Sequence, residues 1–168
     1  MHISICVTSD LHGRLDRFEQ ITKQMKQLNP DLIIDNGDFL QGSLTTYYYD
    51  WIQPRPHPMI ALANKTGYDV AIFGNHEFNY PIDSIQEMRN ECNFPWIAGN
   101  IGDFAPPYII KQVKGLKVAI VGVVTHFTPL WDEQQHTKSL TFSNAFSAAN
   151  YWVQYVKEIE QADIVILG

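Results

Sequence analysis

Cysteine is scarce in this chain: Cys6 and Cys92 are the two in 168 residues. Cys6 falls inside an apolar run that reads as a strand and Cys92 follows a helical pattern. They make no disulfide framework, and two unpaired thiols in a cytoplasmic protein are the expectation. Positive charge is short as well. Twelve Lys and Arg against 18 Asp and Glu leave a net charge of -6, which argues against a general nucleic-acid backbone binder, since that needs a basic footprint. A single phosphorylated small molecule is not excluded, because a bound divalent cation inverts the local field. No run approaches the roughly 18 consecutive apolar residues of a membrane span. The N-terminus enters a strand directly, without the basic and apolar segments of a secretory signal. There is no internal repeat, low-complexity tract or linker-like composition, and no G-x-G-x-x-G follows the first strand. Ser9-Asp10-Leu11-His12-Gly13 stands there instead, which disfavours a dinucleotide-binding domain.

What is present suffices for one domain with a real core, given 45% hydrophobic and 12% aromatic residues. Three short apolar runs organise it. Strands are expected at 2–8, 31–36 and 69–73, and each ends by presenting polar groups: Asp10 and His12, then Gly37-Asp38, then Gly74-Asn75-His76. Strand C-termini are where open α/β sheets place their ligands. Between the first two, Leu15, Phe18, Ile21, Met25 and Leu28 recur at three- and four-residue intervals and predict a helix stopped before Pro30. Residues 38–43 read as a loop. Residues 44–58, with Tyr47, Tyr48, Tyr49, Trp51, Pro54, Pro56 and Pro58, read as an aromatic segment that covers or lines a pocket, with covering favoured.

Farther on, proline-led helices are predicted at 58–65 and from Pro81, the latter with Ile82, Ile85 and Met88 on one side. The stretch 75–80 reads as a loop. A short strand at 96–98 precedes the loop 99–101, and 108–113 with 117–124 form a hairpin about Lys114-Gly115. That change from βα units to antiparallel ribbon signals a second sheet or a mixed edge. Ser143 is the expected N-cap of a long helix whose apolar stripe is Ala145, Phe146, Ala149, Trp152, Val153, Val156 and Ile159. A final strand occupies 163–167.

Asp10-x-His12 would put two ligands on one side of an extended segment. Asp38 has two oxygens that can bridge two ions, and Asn75 offers a neutral amide oxygen. Mixed His, Asp and Asn ligation suits Mn²⁺, Zn²⁺, Fe²⁺ or Co²⁺ and is too rich in nitrogen for a dedicated Ca²⁺ or Mg²⁺ cage. Two such ions would clamp a phosphoryl group and turn a bridging water into a hydroxide nucleophile. His76 would then stabilise the phosphoryl oxygens or protonate the leaving group. Each fragment alone is weak; three in order on successive units are not. His2, His57 and His136 read as ordinary surface residues. His126 also reads as an ordinary residue; following the strand 117–124 near the same end of the sheet, it is the less favoured candidate for a neighbour of the site. Glu77 reads as a hydrogen-bond partner behind the ligands.

At these residues the chain resembles the calcineurin-like metallophosphoesterase superfamily, whose pattern D-x-H, G-D, G-N-H-[ED] is matched by Asp10-Leu11-His12, Gly37-Asp38 and Gly74-Asn75-His76-Glu77. More narrowly it is similar to the N-terminal catalytic domain of the 5'-nucleotidase and 2',3'-cyclic-nucleotide 2'-phosphodiesterase/3'-nucleotidase family. Residues 35–43, 74–80 and 98–101 carry that likeness. The resemblance implies an α/β fold, a four-layer α-β-β-α sandwich of which 1–168 is the N-terminal portion, and a dinuclear metal centre. Asp10, His12 and Asp38 would bind one ion, Asp38 and Asn75 the other, and His76 would assist at the phosphate. Where 5'-nucleotidases commonly pair that histidine with an Asp, Asn79 stands here, as in the cyclic-phosphodiesterase branch.

The family supplies further histidine ligands after the strand matching 163–167, and a C-terminal domain that grips the base. A truncated chain with an incomplete metal site is therefore expected, with an unpaired sheet edge as a route to homo-oligomers. The substrate class implied is a nucleotide or other phosphate ester, with no nucleic-acid polymer and no membrane. The competing expectation is a non-catalytic binding or scaffold module that keeps the fold. All five site residues, Asp10, His12, Asp38, Asn75 and His76, are retained, which favours the enzyme.

Overall fold

Period-two alternation of apolar side chains divides this chain among three cores. The computed structural model describes residues 2–52, 56–132 and 134–168. Strands β1 (Ile5–Thr8), β2 (Leu32–Asp35), β3 (Val70–Ile72) and β4 (Trp96–Ile97) form a parallel sheet in sequential order. Ile33, Ala71, Phe73, Trp96 and Ala98 face one side, against Phe18 and Met25 of α1 (Leu15–Leu28), Met59, Ile60 and Ala63 of α3 (Pro58–Thr66), and Ile85 and Met88 of α4 (Ile82–Glu91). Leu32, Ile34, Val70, Ile72 and Ile97 face the other side, toward a second sheet.

That second sheet holds β5 (Tyr108–Val113), β6 (Leu116–Val121) and β7 (Ile164–Leu167), with β5 antiparallel and β7 parallel to β6. Val118 and Ile120 pack inward between the sheets, while Ala119 and Val121 pack outward with Val156 of α7 (Ala145–Glu158). Helix, sheet, sheet, helix is the four-layer order expected. Monotonic strand order with α1, α3 and α4 on one face is what repeated crossovers of one hand produce.

Several local expectations are corrected. Residues 44–51 are a helix, α2 (Leu44–Trp51), because the Ser43 hydroxyl caps it by accepting from Thr46 N at 3.2 Å. Tyr47 and Tyr48 of α2 are exposed. Pro54 and the Trp51 side chain lie outside the described residues. The 75–80 loop contains a 3-10 turn, His76–Asn79. His57 is no surface residue: it is 0% exposed and caps α3, its Nδ1 accepting from Met59 N at 3.1 Å.

Asn144, rather than Ser143, caps α7 by accepting from Ser147 N at 3.0 Å, and Ser143 is held instead by Asn100. Phe146 and Ile159 are 78% and 65% exposed, off the expected stripe. Phe146 lies in the first turn of α7 and Ile159 is its C-cap, so both flank the stretch whose Trp152, Val153 and Val156 pack on the second sheet. Leu28, at the end of α1, is likewise exposed. Neither cysteine is in a disulfide, and no described helix is long and apolar enough to cross a membrane.

Candidate active site

The loops after β1 and β2 are laced together by backbone hydrogen bonds before any side chain takes part. Asp10 N donates to Gly37 O at 3.0 Å, His12 N to Asp38 O at 2.9 Å, and Gly13 N to Phe39 O at 2.9 Å. To make this lattice Asp10, His12 and Asp38 all take positive φ, at 55°, 48° and 58°. Non-glycine residues rarely do so, and such conformations gather at functional sites. The expected extended D-x-H segment is thus corrected: Asp10 and His12 sit in a left-handed turn, with His12 Nε2 and Asp10 Oδ1 4.0 Å apart.

Glu77 closes the third side. It is 3% exposed, and its carboxylate accepts from Phe39 N at 2.8 Å, Gly74 N at 2.8 Å and Asp38 N at 3.1 Å. It is therefore the hydrogen-bond partner that its place beside His76 suggests. Burial, then the charge of Asp38, push its carboxyl above the ordinary range, while the three N–H donors oppose them. Asp35, buried in β2, is pushed up for the same first reason, although Thr8 Oγ1 donates to it at 2.7 Å. Glycine is required where the loops touch. A Cβ on Gly74 would lie 2.2 Å from Asp38 Oδ1.

The ligand-type atoms of His12, Asp38 and His76 all lie within 4.8 Å of one another, a group able to hold a metal ion. His12 donates Nδ1–H to Gln41 O at 2.8 Å, which leaves Nε2 as its ligand nitrogen. Asp38 Oδ1 accepts from His76 N at 3.0 Å. Asp10 stands at the margin, with its side chain 67% exposed, and lines an open cavity of about 560 Å³ with His12, Arg14 and Arg17. Asn75 opens the 3-10 turn that carries His76, and its carbonyl accepts from Phe78 N.

Asn79 accepts from His76 Nδ1–H at 2.9 Å and donates its amide to Asp132. With Gln41, Gly42, Ser43 and Tyr47 it also lines a second cavity of about 400 Å³. Asp132 is the residue that sequence inspection misses, since no spacing rule links positions 79 and 132. Its carboxyl is pushed up by burial. His126 instead packs on Phe127 and the start of α7, its Nδ1 accepting from Ala145 N at 3.4 Å.

A family model described as calcineurin-like phosphoesterase matches residues 3–168. The chain belongs to that family. Among calcineurin-like phosphoesterases it is 26% identical, over 98% of its length, to a 2',3'-cyclic-nucleotide 2'-phosphodiesterase/3'-nucleotidase of Salmonella typhimurium. It is also 26% identical, over 98% of its length, to a 5'-nucleotidase of Vibrio cholerae. It spans 31% and 32% of those relatives' own lengths. The crystal structure of the calcineurin-like phosphoesterase YfkN from Bacillus subtilis superposes with a TM-score of 0.86 at 25% identity, covering 98% of this chain and 60% of that one.

Proposed function

We propose that this calcineurin-like phosphoesterase supplies metal-binding and phosphate-facing residues of a metal-dependent hydrolase of nucleotide phosphate esters, of the 5'-nucleotidase or 2',3'-cyclic phosphodiesterase/3'-nucleotidase type. The observation that carries this reading is the convergence of His12, Asp38 and His76 within 4.8 Å at the ends of three adjacent strands. The donor set fits divalent ions of the Mn²⁺, Zn²⁺, Fe²⁺ or Co²⁺ class: an imidazole nitrogen left open by its own anchor, a carboxylate, and an amide at Asn75. Asp10, His12, Asp38 and Asn75 would hold two of them. Bound there, such ions lower the pKa of water and offset charge on a phosphoryl group.

The chain's own residues do the rest. Glu77 and the lattice of backbone bonds fix the Asp38 loop, so that ligand geometry is set before substrate arrives. His76, with Nδ1 committed to Asn79, presents Nε2 to hydrogen-bond a phosphoryl oxygen or carry a proton for the leaving group. The cavity beside Asn79 and Tyr47 is open to a substrate's organic portion, and the likeness to a 2',3'-cyclic-nucleotide 2'-phosphodiesterase/3'-nucleotidase and a 5'-nucleotidase supports a nucleotide there.

Hydrolysis of an aryl phosphodiester and of 2',3'-cyclic nucleotides by the purified chain with added Mn²⁺ tests the proposal, with Asp38→Asn as the blank. Metal-dependent turnover lost in the variant supports it. Mn²⁺ binding unaffected by Asp38→Asn, with no turnover in either protein, would place the chain with binding modules that keep the fold.

A further inference from the structure

We propose that Asp132 is a positioning residue for the site, acting through Asn79 to fix the tautomer of His76. This rests on the reading of His76 as the phosphate-facing group, but its geometry stands apart from any metal. Asp132 caps the C-terminus of the short helix α5 (Thr128–Trp131), just ahead of α6 (Gln134–Thr137), and its N–H donates to Thr128 O at 3.0 Å. That cap aims its carboxylate at Asn79, 53 residues earlier in the chain.

An ionised carboxylate only accepts hydrogen bonds, whereas a primary amide has one accepting and one donating end and can be turned over by 180°. With Asp132 on one side, Asn79 Nδ2 must face Asp132. Asn79 Oδ1 must then face His76, where it lies 2.9 Å from Nδ1. A carbonyl oxygen requires a proton on that nitrogen, so Nδ1 is the N–H and Nε2 carries the lone pair. The order carboxylate, amide, imidazole thus does indirectly what a carboxylate at position 79 would do directly. Without Asp132 the amide loses its preferred orientation, and either His76 nitrogen can hold the proton. Asp132 Oδ2 has no hydrogen-bond partner among the described residues, and the carboxylate bonds Asn79 through Oδ1, with His76 and His136 near enough to act on its charge.

The test reads the tautomer itself. In the ¹⁵N-histidine-labelled chain, at a pH well above the ordinary imidazole value of about 6.5, wild-type His76 should show a protonated Nδ1 and an unprotonated Nε2. Asp132→Asn should give averaged shifts at both nitrogens. The exchanged pair Asn79→Asp with Asp132→Asn should restore the single tautomer, because a carboxylate again meets Nδ1–H. His12, anchored on Gln41 O, serves as the internal control for an intact fold and should not change. With Mn²⁺ present, Asp132→Asn should lower kcat about ten- to a hundredfold with KM little altered, and the exchanged pair should recover most of it. A tautomer unchanged by Asp132→Asn would overturn the proposal. So would an exchanged pair whose tautomer stays mixed. Absence of turnover in the wild type would count against the hydrolase reading alone, since the shifts are read without metal or substrate.

Discussion

Replacing Glu77 should injure this fold more than replacing most of its apolar core residues, although Glu77 is a charged side chain. Its carboxylate is 3% exposed and accepts three backbone N–H groups, from Asp38, Phe39 and Gly74. A hydrogen bond to a charged acceptor contributes about 1.5–3 kcal/mol, and each buried donor left without a partner costs about 1–3 kcal/mol. Three donors deserted together set an upper range near 9 kcal/mol, and water entering the space left by Glu77→Ala would recover part of it. A loss of about 3–6 kcal/mol is expected. For a chain of this size that is a fall in Tm of roughly 10–20 °C.

Glu77→Gln should be milder, at about 1–2 kcal/mol. The amide oxygen can serve Asp38 N and Gly74 N, and only Phe39 N then meets a donor. A neutral amide also escapes the burial and the Asp38 charge that push the carboxyl upward. Urea unfolding followed by circular dichroism measures both variants. A Glu77→Ala loss below about 1 kcal/mol, or a Glu77→Gln loss as large as that of alanine, would refute this account of how the loops are tied.

Further outcomes are expected elsewhere. Asp31 is held at about 2, below its ordinary 3.8, first by a hydrogen bond from Lys114 and then by Ser4. Its folded value is depressed, so its contribution is present above 3.8 and lost as pH falls through about 2; Asp31→Asn should flatten that part of the acid unfolding curve. Gly74→Ala would push a Cβ against Asp38 Oδ1 and Asp38 N, and should weaken Mn²⁺ binding at least tenfold while the circular dichroism spectrum stays native. His57→Ala removes a buried cap and should cost about 1–2 kcal/mol in urea unfolding, with His57→Asn recovering part of it.

The parallel sheet and its ligand-bearing loops are legible in the sequence because both signals are local. Apolar runs of three or four residues stop at polar groups, and Asp10, His12, Asp38 and Asn75 follow within a few positions. The three-way division of the core is implicit in the same alternation. Helix α2 is hidden because Thr45, Thr46 and three tyrosines are indifferent helix formers next to a proline-rich stretch, and its cap and the buried Thr46 decide the outcome. His57 could have been found, since the residue before a proline at the first helical position is an N-cap site. Asp132 could not, because its tie to Asn79 depends on how α5 folds back over the site. The left-handed backbone at Asp10 and His12 is equally a product of the neighbouring loop, whose carbonyl groups draw their N–H groups inward.

Titration calorimetry of Mn²⁺ into the purified chain, with His12→Ala and Asp38→Asn beside it, tests the central claim most directly. Asn tolerates the positive φ at position 38, so that variant removes charge without straining the backbone. Binding by the wild type that weakens at least tenfold in each variant is the predicted result. No binding to the wild type, or equal binding by all three proteins, would contradict the claim that His12 and Asp38 build a metal centre.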